Sequence, residues 1–128
     1  MKGRKFTLFF LIILLLVSFV VRFYKLGIIP NGLSTDEADM GYNAYSIIRT
    51  GKDVYGRKFP LFFQSLDDYK PGLVFYTTIP AVAFFGLNDF SVRLAPAIFG
   101  SLLPIIFFIM TRKIYPKSKS YTFIAATN

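Results

Sequence analysis

An unbroken stretch from Phe6 to Val21 carries no charged residue, and this stretch limits the folds open to the chain more than any other feature. It follows a basic start, with Lys2, Arg4 and Lys5. If Arg22 snorkels toward the interface, the helix can extend to residue 24, and about 18 residues reach roughly 27 Å, close to a bilayer core of about 30 Å. A secretory signal peptide begins in the same way, but no small-x-small cleavage site follows here. We therefore predict an uncleaved transmembrane helix whose amino terminus stays in the cytoplasm.

Further apolar blocks follow, and they raise the hydrophobic content to 54%, above the roughly 45–50% of soluble domains. The pattern predicts an all-α polytopic protein of the cell (plasma) membrane with a partly helical first extracytoplasmic loop. The predicted segments are a cytoplasmic amino terminus (1–5), transmembrane helix 1 (6–24), an extracytoplasmic loop (25–71) with an amphipathic helix (36–50), transmembrane helix 2 (72–87), a short loop (88–93), transmembrane helix 3 (94–111), a basic loop (112–120) and the start of a truncated transmembrane helix 4 (121–128). Strict alternation places the basic loop outside, against the positive-inside tendency, and the sequence offers no reason for this.

Composition excludes several kinds of chemistry. The net charge of +8 could suggest nucleic acid, but the cations flank the apolar blocks or lie in the polar loop, so no nucleic-acid partner is predicted. The chain has no Cys and no His, which removes thiolate nucleophiles, zinc thiolates and the commonest general base. Acid–base chemistry therefore falls to seven carboxylates. No metal site or other cofactor is indicated, and a metal held here would need oxygen ligands, as Mg²⁺, Mn²⁺ or Ca²⁺ does.

The loop between the first two apolar blocks contains a predicted helix start. Ser34 is followed three residues later by Glu37, the spacing of a capping box. An apolar face at helical spacing comes next, and Gly51 is a typical helix stop. The predicted face consists of Ala38, Gly41, Ala44, Tyr45 and Ile48. This pattern predicts a short amphipathic helix on the membrane surface.

The loop and its flanks resemble the start of a known enzyme group: polyprenyl-phosphate-sugar-dependent glycosyltransferases with the GT-C fold. Within it they are similar to bacterial members of the protein O-mannosyltransferase (glycosyltransferase family 39) and lipid A aminoarabinose transferase group. The resemblance covers residues 7–128, and its ordered motifs are Thr35-Asp36-Glu37-Ala38, Thr50-Gly51-Lys52-Asp53-Val54-Tyr55-Gly56, Phe59-Pro60, Tyr69-Lys70-Pro71-Gly72-Leu73, Phe85-Gly86 and Phe90-Ser91-Val92-Arg93-Leu94. It implies a longer enzyme of which this chain is an amino-terminal fragment. We expect the fragment alone to be inactive, because three helices cannot enclose a lipid donor and an acceptor.

The implied reaction moves a sugar from a polyprenyl phosphate to an acceptor hydroxyl of a protein, lipid or glycan on the outer face of the membrane. The resemblance places the reacting carboxylate on Asp36 and the donor-phosphate contact on Lys70. Two departures are Tyr69, where some relatives have a glutamate, and Gly72, where a second proline is usual. The absence of that glutamate counts against a metal site that depends on it, and a divalent metal held by other oxygen ligands stays open.

The complete set of candidate residues is drawn from the loop and its edges. The predicted catalytic residues are Asp36 and Glu37; the predicted donor phosphate-binding residues are Lys70, Arg57 and Lys58; the predicted supporting residues are Asp39 and Arg93.

Each candidate also has a simpler interpretation. Glu37 fits a capping role, Asp36 is favoured by the helix dipole, and Lys70 and Arg93 could be membrane-edge anchors. Spacing places Asp36 and Asp39 on one helix face with Glu37 about 100° away.

Two other functions compete with the enzyme. A small non-enzymatic membrane protein could use the loop to bind a partner or a lipid. A transporter is disfavoured, because transporters place ionisable residues at mid-membrane and the second and third apolar blocks contain none.

Overall fold

The computed structural model describes residues 2–65 and 68–114, with the backbone alone for residues 2–6. Its elements are helices α1 (Lys2–Phe23), α2 (Thr35–Thr50), α3 (Gly72–Phe85) and α4 (Asp89–Ile114), and strands β1 (Phe62–Ser65) and β2 (Asp68–Pro71). The mostly helical prediction is confirmed. The predicted transmembrane helix 4 (121–128) and most of the basic loop (112–120) lie outside the described residues.

The chain divides into two compact units. One contains α1 and the part of α4 from Ala97 onward, and the other runs from Lys25 to Pro96. In the first unit Arg22 lies against Gly100, so closely that a side chain at residue 100 would collide with the guanidinium. The candidate residues named above all belong to the second unit.

Of the described helices, α4 is the one long and apolar enough to cross a membrane, with 26 residues and a mean hydropathy of 2.1. At about 1.5 Å per residue it spans roughly 39 Å. The apolar part of α1 (Thr7–Phe23) and α3 are shorter, and α3, with 14 residues, reaches only about 21 Å. Membrane crossing by the segments 6–24 and 72–87 therefore stays a prediction.

The loop predicted at 88–93 is wrong, because α4 already begins at Asp89. Asn88 accepts a hydrogen bond from the main-chain N–H of Ser91 through Oδ1 (2.9 Å), and its own N–H donates to the Ser91 hydroxyl (3.2 Å). This reciprocal pair supplies partners for the otherwise unpaired groups of a helix start. The polar run Asn-Asp-Phe-Ser is therefore a helix cap rather than a loop.

The predicted capping box of α2 is confirmed. The Ser34 hydroxyl accepts from the Glu37 N–H, the Glu37 carboxylate accepts from the Ser34 N–H (2.9 Å), and Gly51 ends the helix in the left-handed conformation with φ 70°. The predicted apolar face is wrong in part: Tyr45 and Ile48 are exposed, whereas Asn43 and Ile47 are buried. Tertiary packing selects the face because Ile47 joins Phe63 and Phe75 in the core.

The all-α prediction misses a two-stranded antiparallel sheet, in which β1 pairs with β2. Phe63 of β1 is fully buried and its ring stacks on Phe75 of α3, with centroids 4.2 Å apart. Phe63 pairs with Lys70 and Ser65 with Asp68. Since paired residues of an antiparallel ladder share a face, Lys70 lies on the same face of the hairpin as the buried Phe63. This face carries the candidate site.

Candidate active site

Helix α2 presents its carboxylates in two directions. Asp36 and Asp39, three residues apart, lie on one face, and both approach Lys70. Glu37 lies on a different face and pairs with Arg93. The spacing prediction for these three carboxylates is confirmed, and the geometry separates two charge clusters.

The first cluster is centred on the ammonium of Lys70. Nζ donates to Asp36 Oδ1 at 2.5 Å and to the Ser65 hydroxyl at 3.0 Å, and it lies 3.7 Å from Asp39 Oδ2. Asp36 and Lys70 are 34 residues apart in the chain. The Asp36 side chain is 76% exposed, so the pair adds only about 0–1 kcal/mol to stability. Stability therefore gives little reason for bringing these two residues together.

The charge state of Lys70 is fixed by its neighbours. The hydrogen bond to Asp36 raises the pKa of Lys70, burial opposes this, and the charges of Asp36 and Asp39 raise the pKa further. Because a neighbouring carboxylate favours the charged form of an amine, Lys70 is an ammonium at neutral pH.

Asn43, which is fully buried, fixes Asp39 by hydrogen bonds. The Asn43 amide donates to Asp39 Oδ1 (2.9 Å) and to the Asp39 main-chain carbonyl (3.0 Å), while its own oxygen accepts from the Val54 N–H (3.2 Å). Asp39 Oδ2 is buried and, among the described residues, has no hydrogen-bond partner. It is therefore a fixed carboxylate oxygen with unused accepting capacity, close to the Lys70 ammonium.

The second cluster fixes the start of α2. The Arg93 guanidinium donates to both carboxylate oxygens of Glu37, at 2.8 and 3.1 Å. It also donates to the carbonyls of Leu26 (3.2 Å), Pro30 (2.9 Å) and Gly32 (2.5 Å). The hydrogen bond from Arg93 lowers the pKa of Glu37 against the effect of burial, with further lowering by Ser34. Both Glu37 oxygens are engaged, so the geometry supports a structural role for a residue predicted to be catalytic.

The remaining predicted phosphate ligands lie elsewhere. Arg57 donates to Asp53 (3.1 Å) and Gln64 (3.2 Å), and its guanidinium lies 5.8 Å from the centre of the Tyr69 ring. Gln64 pairs with Tyr69, and strand alternation puts both on the face of the hairpin opposite Lys70. Lys58, which follows Arg57 in the chain, is exposed. The structure therefore does not bring Arg57 together with Lys70.

The two departures from the family motif have structural counterparts. Tyr69 provides the ring next to Arg57. Gly72 donates its N–H to the Leu61 carbonyl (2.8 Å), and a Cβ at residue 72 would lie 2.7 Å from that same oxygen. A proline could neither donate this hydrogen bond nor fit in the space.

Three site residues were not found from the sequence. Asn43 and Ser65 depend on tertiary packing, and their sequence neighbourhoods carry no signal for it. Asp53 accepts from the N–H groups of Tyr55 (3.0 Å) and Arg57 (2.7 Å). The Asp-x-x-Gly spacing to Gly56 is a turn signal that could have identified this role. Within the described residues, no group of three or more His, Cys, Asp or Glu side chains could hold a metal ion.

Comparison with known proteins identifies the family. The sequence model described as dolichyl-phosphate-mannose-protein mannosyltransferase matches residues 12–127. No curated protein sequence and no solved structure matches the chain significantly. The match covers nearly the whole chain and confirms the resemblance noted from the loop motifs. The chain therefore belongs to the dolichyl-phosphate-mannose-protein mannosyltransferase family, and the corresponding activity is that of a membrane glycosyltransferase of the mannosyltransferase type.

Proposed function

We propose that this chain supplies the reaction centre of a multi-pass plasma-membrane enzyme with its amino terminus in the cytoplasm. The enzyme transfers a sugar from a polyprenyl-phosphate donor to an acceptor hydroxyl on the outer face. The observation that carries the proposal is the 2.5 Å contact between Asp36 and Lys70. It brings a candidate base and a candidate phosphate ligand together from separate elements.

Asp36 acts as the general base. It takes the proton of the acceptor hydroxyl while the acceptor oxygen attacks the anomeric carbon. The bond from that carbon to the phosphate oxygen breaks, its electron pair leaves with the polyprenyl phosphate, and the configuration inverts. A positioned base contributes a factor of about 10²–10⁴ to such a step. With 76% of its side chain exposed, Asp36 is open to an incoming acceptor.

Lys70 stabilises the departing phosphate. A fixed cation beside developing negative charge lowers the barrier, most strongly where water is excluded. In the structure Asp36 Oδ1 occupies one hydrogen-bonding position of the ammonium, and a phosphate oxygen of the donor would take that same position. Displacement by the donor also frees Asp36 Oδ1 from its hydrogen bond to Lys70, so that this oxygen can accept the proton of the acceptor hydroxyl. Donor binding therefore frees the base.

The other candidates take secondary roles. Glu37 and Arg93 hold the start of α2 and so orient Asp36. Arg57 and Lys58 remain predicted phosphate or headgroup contacts, and Arg57 lies on the hairpin face opposite Lys70. The family's description names a protein as the acceptor, and a hydroxyl of a protein, lipid or glycan fits the proposed chemistry.

The test uses the full-length gene product in membranes, with tritiated dolichyl-phosphate-mannose as donor and a serine- and threonine-rich peptide as acceptor. Asp36→Asn is expected to lower kcat by about 10²–10⁴. Lys70→Met removes a charged hydrogen bond and is expected to lower kcat/KM for the donor by about 10–100-fold.

Matched controls are Asp68→Asn, an exposed carboxylate of the same hairpin, and Lys52→Met, an exposed lysine of the same loop. Both are expected to behave as wild type. Wild-type turnover in both Asp36→Asn and Lys70→Met would reject the site and favour a non-enzymatic loop that binds a partner or lipid.

A further inference from the structure

The Lys70 ammonium has more acceptors around it than its present hydrogen bonds use. It carries three N–H donors. Asp36 and Ser65 accept two of these bonds, and Asp39 Oδ2 lies 3.7 Å away, beyond hydrogen-bond distance. That oxygen is buried and lacks a hydrogen-bond partner among the described residues. A buried polar atom without a partner costs about 1–3 kcal/mol, so its presence requires an explanation.

Asp39 cannot easily turn away to find another partner. Asn43 holds its other oxygen at 2.9 Å, and Asn43 is itself fully buried and fixed by the Val54 N–H. The hydrogen bond from the Val54 N–H also defines which atom of the Asn43 amide is the oxygen, because only the oxygen accepts. The carboxylate of Asp39 is therefore held with one oxygen directed toward Lys70.

We propose that Asp39 is a positioning residue that retains Lys70 at the site when the donor phosphate displaces Asp36. This rests on the proposed function above. The ammonium then bonds Ser65 and Asp39 with two donors and the phosphate with the third. The required movement of Nζ toward Asp39 is about 1 Å, given hydrogen-bond distances of roughly 2.7–2.9 Å for charged pairs.

This arrangement answers a difficulty in the reaction. A lysine held only by Asp36 would lose its fixed position at the moment Asp36 is released to accept the proton. Asp39 keeps the cation beside the leaving group while the phosphate occupies the position that Asp36 held. Asp39 does not touch the reacting atoms, because Lys70 stands between it and the phosphate.

The test is a double-mutant cycle with Asp39→Asn and Lys70→Met, in the full-length enzyme with tritiated dolichyl-phosphate-mannose. Asp39→Asn keeps the size of the side chain and the bond to Asn43 but removes the charge. It is expected to raise the donor KM about tenfold, the loss of one charged hydrogen bond, with little change in the acceptor KM. In the Lys70→Met background the same substitution is expected to have no further effect, because the residue it positions is gone.

Asp39→Glu keeps the charge and is expected to bring the donor KM to within about threefold of wild type, because the flexible side chain of Lys70 can adjust to the longer carboxylate. Additive effects in the cycle, or a donor KM that is unchanged in Asp39→Asn, would overturn the inference. So would an Asp39→Glu enzyme as impaired as Asp39→Asn.

The outcomes separate this inference from the proposed function. If Asp36→Asn and Lys70→Met impair transfer while Asp39→Asn does not, only the role of Asp39 fails. If Asp36→Asn and Lys70→Met both behave as wild type, the proposed function fails first.

Discussion

Substitution of Arg93 by methionine is the sharpest test of how the start of α2 is held. The Arg93 side chain is only 7% exposed, and it makes hydrogen bonds to both oxygens of Glu37 and to three main-chain carbonyls. Methionine keeps the apolar stem and removes every one of these donors. Removing one partner of a buried ion pair costs about 3–5 kcal/mol.

The lower end of that range applies here. The Glu37 side chain is 23% exposed and keeps its hydrogen bond to the Ser34 N–H, and the residues whose carbonyls lose Arg93 are partly or largely exposed. Water can therefore replace some of the hydrogen bonds that Arg93→Met removes. We expect Arg93→Met to lower the free energy of unfolding by about 3 kcal/mol.

The assay is a denaturant titration of the detergent-solubilised chain, followed by far-ultraviolet circular dichroism. Arg49→Met is the matched control, because Arg49 is an exposed arginine whose hydrogen bond and ring contact, within the described residues, are made to Tyr45 of its own helix turn; its expected effect is within about 0.5 kcal/mol. A loss below about 1 kcal/mol in Arg93→Met, or equal losses in both variants, would refute the view that Arg93 fixes this region.

Three further predictions concern stability. Asn43→Ala is expected to lower the free energy of unfolding by about 2–3 kcal/mol in the same titration, because it leaves buried polar groups without partners; a loss below about 0.5 kcal/mol would contradict this. Gly72→Ala is expected to lower the free energy of unfolding by about 1–3 kcal/mol because its Cβ would lie 2.7 Å from the main-chain carbonyl oxygen of Leu61; a loss below about 0.5 kcal/mol would count against it. Arg93 lowers the pKa of Glu37, so the ion pair stabilises the folded chain fully above the ordinary glutamate pKa of about 4.3, and this stabilisation is lost as pH falls through the lowered pKa. Glu37→Gln is expected to remove that part of the pH dependence of unfolding; an acid unfolding curve identical to that of the wild type would contradict this.

Local signals in the sequence predicted the start of the site well. The capping box at Ser34 and Glu37 and the glycine stop at Gly51 depend on residues three or four positions apart, so the chain itself specifies them. The separation of Asp36 and Asp39 from Glu37 follows from helical periodicity alone. These features needed no knowledge of tertiary packing.

Features that depend on distant contacts were not predictable in the same way. The hairpin carries Lys70 to α2, and its strands are only four residues each, with no periodic pattern long enough to distinguish them from an interfacial segment. The burial of Asn43 is set by Val54 and Asp39 together. A polar residue on the core face contradicts amphipathic periodicity, so pattern reasoning placed Gly41 and Ala44 correctly but missed Asn43 and Ile47.

The limits of the loop predictions have a common physical cause. Charge and residue type identify Arg57 as a candidate phosphate ligand. In the structure its guanidinium pairs with Asp53 and lies next to the Tyr69 ring, on the hairpin face opposite Lys70. Similarly, Asn88 signals both a loop and a helix cap, and only its bonds to Ser91 decide between them.

In the proposed enzyme, Asp36 and Lys70 meet on the extracytoplasmic side of the membrane. The chain contains no cysteine, so single cysteines at exposed positions report sidedness directly: Tyr42→Cys (60% exposed) and Leu61→Cys (81% exposed). A membrane-impermeant maleimide applied to intact cells should label both, and should label Lys2→Cys, at the predicted cytoplasmic end, only after permeabilisation. Labelling of residues 42 and 61 only after permeabilisation would contradict the account, because a donor and acceptor on the outer face could not then reach Asp36.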